Sequence, residues 1–447
     1  MRSSPTSDKP TCPCRGDSSP ASPLRTRLSP LARAIPLAKT TISATIASLT
    51  ALAILASLTI ATQSAAADNP PTPLKIFLLV GQSNMQGHAQ IRTLEHLGMD
   101  PQTAPLLAEL VDDQGQPRVW ETVWISSLSG DQVKRGRLTT GFGADANKLG
   151  PELTFGSVMH QELDQPILII KTAWGGKSLH TDFRSPSAGP AELNPSQLEQ
   201  IAKQGKDLAA IRAEQAAATG VTYRLMLDHI REVLADIRQV YPDYDPQVGY
   251  ELAGLVWFQG WNDMVDGGVY PDRGQPGGYD AYSECLAHFI RDVRRDLKTP
   301  QLPVVIGVMG VGGPVDEYPP EEQRYQAIHQ NFRLAMAAPA TLPEFRGNVE
   351  AVFTENYWDR ELSALRAREA KLRQRLQELR KQDDLSPEQI RAAENELRST
   401  EFSEREREIL EKGVSNLEFH YLGSAKIMTQ IGKGFAEAML RLQSNDN

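Results

Sequence analysis

Cysteine is almost missing from this chain: three of 447 residues. Cys12 and Cys14 fall in a basic leader, and the body keeps only Cys285, so no intrachain disulfide can form there. Cys12-Pro-Cys14 has no second pair at zinc-ligand spacing, so it reads as no metal site. Charge is wholly missing from Thr40 to Ala67. The stretch before it is rich in Ser and Pro and carries Arg2, Lys9, Arg15, Arg25, Arg27, Arg33 and Lys39 against Asp8 and Asp17. With Ala65-Ala66-Ala67 ahead of Asp68, residues 1–67 read as a secretory signal peptide with a long basic n-region. The run Ile42–Ala61 is also long enough to span a bilayer, and uncleaved it would anchor the protein. Either way the body is expected to be exported, periplasmic or extracellular, with no membrane contact after cleavage. Positive charge is scarce in that body. The chain carries −9 in all, and the basic leader takes the body to about −14. That balance argues against nucleic acid or an anionic membrane as partner.

What is present is an ordinary globular composition, 40% apolar and 23% charged, long enough for one large domain or two. Apolar runs at Ile76–Val80, Pro166–Lys171, Leu252–Phe258, Leu302–Met309 and Val349–Thr354 fit buried parallel strands, with a further strand at Arg118–Ile125. Helical stretches fall between them: Asn84 to about Leu97, from Gly150-Pro151 onward, an amphipathic run through Met226, Ile230, Val233, Ile237 and Val240, then Tyr279–Leu297 and Glu321–Met336. The alternation predicts an α/β fold, a three-layer α/β/α sandwich around a central, mostly parallel sheet.

The first run ends in Gly81-Gln82-Ser83-Asn84-Met85. A Ser just past the carboxyl end of a strand lies where open α/β sheets bind ligands. Its hydroxyl can face a cleft and its N–H can help hold an oxyanion, although Ser is also a common helix N-cap. The second strand exit, Thr172-Ala-Trp-Gly-Gly-Lys-Ser178, has paired glycines that let backbone approach a ligand, or simply make a tight turn. The third is Gln259-Gly-Trp-Asn-Asp263. The last block, Gly413-Val-Ser-Asn-Leu-Glu-Phe-His-Tyr-Leu-Gly423, puts His420 just before a C-terminal helix. Glu152 opens a helix, and the dipole there accounts for it. Val265–Gly278 carries Asp266 and Asp272 but fits no calcium loop.

Gly81-Gln-Ser-Asn-Met85 resembles the first block of the SGNH hydrolases, in the form seen in the sialate O-acetylesterase-like branch, carbohydrate esterase family 6. The likeness runs from about Lys75 to Val308 and resumes near His420. It implies a flavodoxin-like SGNH fold, a serine esterase needing no cofactor or metal, and an O-acetylated carbohydrate as substrate, either sialic acid or an acetylated polysaccharide. By the same likeness Ser83 is the nucleophile and His420 the base. The oxyanion donors are the N–H groups of Ser83 and Gly176, with Gly175 the alternative, and the side chain of Asn262. Gln82, Gln259, Trp261 and Trp174 flank these blocks and are expected to contact substrate. Two departures stand out. Close relatives have Glu where Trp261 stands here, and the family's Asp three residues before the His is Leu417. Glu418 is the first choice for the acid supporting His420. Asp263 is a second, and Asn416 could orient the ring without charge. Two rival functions follow: an esterase or lipase on non-sugar esters, or a glycan-binding protein without catalysis.

Residues 359–412 contain no Gly and are dense in Glu, Arg, Leu and Gln. Ser386-Pro-Glu-Gln389 is a helix start, and the run reads as a charged two-helix hairpin acting as a spacer, lid or partner arm. The expected layout is therefore leader 1–67, esterase core 68–358, insertion 359–412, and a returning core segment 413–447 that carries His420.

Overall fold

The computed structural model describes residues 72–381 and 386–444; the leader lies outside them. The central sheet has seven strands: β1 (Leu74–Gly81), β2 (Trp120–Ser129), β3 (Gln132–Leu138), β4 (Ile167–Ala173), β5 (Tyr250–Phe258), β6 (Val304–Val308) and β7 (Val349–Phe353). They lie in the order β3-β2-β4-β1-β5-β6-β7. Every pairing is parallel except β2 with β3. β1 is central because its run is apolar on both sides. Ile76 to Val80 are all 0% exposed, with Leu78 opposite Ile170 on one side and Leu255 on the other. The fold class expected from the sequence is the one found.

Helices cover both faces. In β5, Trp257 packs on Phe289 of α5 (Asp280–Asp296), while Phe258 packs on Phe435 of α10 (Ala425–Ser444). Neighbouring residues of a strand point to opposite faces, so these two helices lie on opposite sides. The remaining helices used below are α1 (Ser83–Gln86), α2 (Glu152–Leu163), α3 (Val221–Ala235), α4 (Trp261–Val265) and α6 (Gln326–Ala337).

Three local expectations change. The helix predicted from Asn84 to Leu97 is only the single turn of α1, followed by 3-10 turns over Ile91–Met99. Gly87 ends it at φ 87°, and a Cβ there would sit 2.2 Å from Gly150 Cα. β3 has no forerunner in the sequence reading, because it is a largely exposed edge strand with almost no apolar residues. The insertion is three helices, not two: α7 (Arg360–Leu379), α8 (Pro387–Glu401) and α9 (Glu404–Gly413). Ser386 and Ser403 each close a capping box, with Gln389 and Glu406. The insertion is also no free arm. Leu362, Leu365, Leu372, Leu376, Phe402 and Ile409 are buried, and α9 packs on the Ile91–Met99 turns.

Candidate active site

β1 delivers Ser83 through a pinch. A side chain at Gly81 would meet Phe258 O at 2.1 Å, so only glycine lets β1 and β5 run this close at their ends. α1 then starts on Ser83, whose N–H is one of the first-turn donors a helix leaves unpaired. Gly176 sits on the exposed turn after β4 at φ 74°, a conformation glycine adopts freely. Asn262 lies in the first turn of α4.

One buried side chain ties these three pieces together. Gln82 is 0% exposed. With its amide oriented to satisfy its neighbours, Nε2 donates to Lys177 O at 3.0 Å and to Asn262 Oδ1 at 2.8 Å, and Oε1 accepts from Trp261 N–H at 3.3 Å. The Ser83 turn, the Gly176 turn and α4 are thus joined through a single amide. Asn262 Oδ1 is occupied, which leaves its Nδ2 as the donating end. Gln82 is therefore a clamp and not a substrate contact.

Gln259 is also 0% exposed. It donates to Lys177 O at 3.0 Å and to Asp263 Oδ2 at 2.6 Å, and its Oε1 accepts from Tyr282 O–H at 3.2 Å. It too is turned inward, away from any substrate. Asp263 accepts from the N–H groups of Leu179 at 2.8 Å and His180 at 2.9 Å, and from Tyr270 O–H at 3.2 Å. Burial pushes its carboxyl up to about 6, against the pull of those donors. Its role is to anchor the loop after Gly176, and none of its partners is His420. Trp174 likewise faces inward, donating to Gly130 O at 2.6 Å and packing on Phe183. Of the four expected substrate contacts only Trp261 remains half-exposed, tilted against Phe419 with ring centroids 5.6 Å apart.

His420 lies on an irregular segment, Glu418–Gly423, that packs against α1. Tyr421 and Leu422 adopt left-handed conformations with φ of 52° and 60°, unusual for such residues. The buried Tyr421 hydroxyl holds them there, accepting from Gly310 N–H at 2.9 Å and sharing a hydrogen bond with Thr354 Oγ1 at 2.7 Å. His420 Nδ1 is 3.1 Å from Asn416 Oδ1. An amide oxygen only accepts, so Nδ1 carries the proton and Nε2 keeps its lone pair. The partner of Nδ1 is thus Asn416, not Glu418, whose side chain is exposed and lines a neighbouring cavity. With no carboxylate beside it, burial and then the charge of Lys148 push the His420 pKa down to about 4. Among the described residues no hydrogen bond joins Ser83 Oγ to His420; catalytic hydrogen bonds often tighten only around substrate.

Two neighbours were not foreseen. His88 lies flat on His420, ring centroids 4.0 Å apart and planes 3° apart. Beneath α1, Lys171 of β4 donates to Gln86 O at 2.8 Å, Phe142 O at 2.9 Å and Glu152 Oε2 at 2.6 Å. Both charges of that pair are 0% exposed. Glu152 Oε1 accepts from Gly150 N–H at 2.9 Å, so this residue does far more than cap a helix dipole. A lysine ending an otherwise apolar strand is the sequence sign of such a pair.

Beside the histidine segment lies a cavity of about 660 Å³. Trp261 and Phe419, chain neighbours of Asn262 and His420, line it together with Glu322, Tyr325, Trp358 and Glu418. Its size suits a ligand of a few rings.

Comparison with known proteins supplies the family. No curated protein sequence matches this chain. It is similar to a solved structure of a protein from Arabidopsis thaliana at 17% identity, covering 63% of this chain and 86% of that one with a TM-score of 0.33. It is also similar to a carbohydrate acetylesterase from Xanthomonas citri at 13% identity, covering 62% and 49% with a TM-score of 0.32. It spans about half the length of that second protein. A family model described as "Carbohydrate esterase, sialic acid-specific acetylesterase" matches residues 73–342, more than half the chain and the stretch that holds β1 to β6, Ser83, Gly176 and Asn262. The chain therefore belongs to the sialic acid-specific acetylesterase family of carbohydrate esterases, and it is a carboxylic ester hydrolase.

Proposed function

We propose that this protein is an exported serine esterase that removes O-acetyl groups from carbohydrates through an acyl-serine intermediate. The observation that carries the reading is the hydrogen bond from His420 Nδ1 to Asn416 Oδ1, which leaves Nε2 free to take a proton. In this mechanism Ser83 Oγ attacks the acetyl carbonyl carbon while His420 Nε2 accepts its proton. The oxyanion is held by the N–H groups of Ser83 and Gly176 and by Asn262 Nδ2. The C–O bond to the sugar breaks as His420 returns the proton to the departing alkoxide. Water, deprotonated by His420, then attacks the acyl carbon; the acyl C–Oγ bond breaks as His420 returns the proton to Ser83 Oγ, and acetate leaves. The aromatic wall of the neighbouring cavity, Trp261 with Phe419, suits the apolar face of a sugar ring. Export rests on the charge-free stretch Thr40–Ala67 and the small residues before Asp68.

The test is acetate release from 4-nitrophenyl acetate and from O-acetylated sugars by protein recovered from the medium or periplasm, with its N-terminus sequenced. Ser83→Ala and His420→Ala are expected to fall to background, the wild type to trap as an acetyl-Ser83 adduct, and the N-terminus to read Asp68. Hydrolysis by folded Ser83→Ala at the wild-type rate would sink the mechanism.

A further inference from the structure

The hydrogen bond to Asn416 holds one edge of the His420 ring, and the Phe419 ring packs against it at 66°, centroids 4.4 Å apart; neither contact lies flat on the imidazole. In serine triads a buried carboxylate also stabilises the imidazolium; an amide cannot. A parallel wall would fix the ring plane. We infer that His88 is the positioning residue for the general base: its ring, stacked face to face on His420, fixes the plane in which Nε2 points and keeps water off that face. The inference rests on the Ser83–His420 reading and deepens it.

The geometry supports this in three ways. The planes are within 3° of parallel with centroids 4.0 Å apart, a stacked van der Waals contact between the two rings. His88 is itself held: the next residues, Ala89–Gln90, pair with Lys148–Leu149 in a short antiparallel ribbon. That ribbon is bolted to the histidine segment, since Gln90 N–H donates to Ser415 Oγ at 3.0 Å and Ser415 Oγ donates to Gly423 O at 2.6 Å. His88 therefore moves with His420 and not with solvent.

The charged surroundings suit a neutral spacer. The charged groups that act on His88 are His420, Lys148, Asp145 and Lys171. Burial, then His420 and Lys148, push it down to about 3, so it stays neutral wherever the base is neutral. Lys148 is tied to Asp145 at 2.8 Å. Lys171 is tied to Glu152. A neutral flat ring gives the base a wall without adding a second cation beside the imidazolium that forms in the reaction.

The experiment compares His88→Ala, His88→Gln and His88→Phe on 4-nitrophenyl acetate across pH, with urea midpoints recorded for each and His420→Ala alongside. His88→Ala and His88→Gln are expected to lose kcat by about 10- to 100-fold, with KM changed less than about twofold. Their acid limb moves from about 4 up toward the free-imidazole value, because water reaches the ring. His88→Phe restores the flat wall, so it recovers most of kcat and keeps the low limb. If His88→Ala does not fold, the comparison of Phe with Gln decides. Wild-type kcat and limb in His88→Gln, or a Phe variant no better than Gln, would overturn the inference. Full activity in His420→Ala would instead overturn the catalytic reading beneath it.

Discussion

Gln82 Nε2 lies 2.8 Å from Asn262 Oδ1, and that contact determines which end of the Asn262 amide is free to donate. Asn262→Ala should lower kcat by about 10²- to 10³-fold while KM changes little, the mark of a donor used in the transition state. Gln82→Glu keeps the shape but turns a carboxylate toward Lys177 O and Asn262 Oδ1. It should cost about 1–3 kcal/mol in a denaturant titration and lose activity with it. Activity untouched in either variant would remove Asn262 from the oxyanion site.

His420 is expected to act as base down to unusually low pH. Its pKa of about 4 means the active, neutral ring persists above that value, and kcat/KM should fall only as pH drops through it. Asn416→Asp places a carboxylate on Nδ1, favours the imidazolium, and should move the acid limb upward. Asn416→Ala releases the tautomer and should cost about 10-fold or more in kcat. A limb that stays put in Asn416→Asp would mean that Asn416 does not contact the working base.

Lys171 and Glu152 form an ion pair with no exposure beneath α1. Desolvation lowers the Lys171 pKa and Glu152 opposes that shift, so either charge alone would be a buried orphan. Lys171→Met or Glu152→Leu should each cost about 3–5 kcal/mol by urea titration, and the double variant clearly less than the sum. Because Lys171 also holds the Gln86 carbonyl at the end of α1, kcat should fall even in variants that remain folded.

The strands of the sheet core were legible because a buried parallel strand must be apolar on both faces, as the buried centres of β1, β5 and β6 are, and β4 is up to Lys171. β3 was not, since an edge strand wet on its outer side keeps no such pattern. The blocks carrying Ser83, Gly176 and Asn262 were visible as strand exits with glycine. Which polar side chains turn inward was not: Gln82, Gln259 and Asp263 look like cleft residues in sequence and are buried ties in the structure. The choice between Glu418 and Asn416 turned on a segment with no periodicity. Left-handed Tyr421 and Leu422 break any rule relating sequence offset to side-chain direction. The third helix of the insertion could have been read from Ser403 and Glu406, a capping box in plain view.

The Ser83 turn lies near the beginning of the described chain, and the segment it packs on lies near the end, beyond α7, α8 and α9. Chain synthesis runs from the N-terminus, so His420 and the helix α10 that covers one face of the sheet are the last parts of the described chain to be made. Contacts between such distant segments carry a loop-closure cost and tend to form late. Hydrolytic competence should therefore arrive with the last few dozen residues, after Tyr421 docks on Gly310 and Thr354. On the proposed mechanism, Ser83 would be present but inert until then.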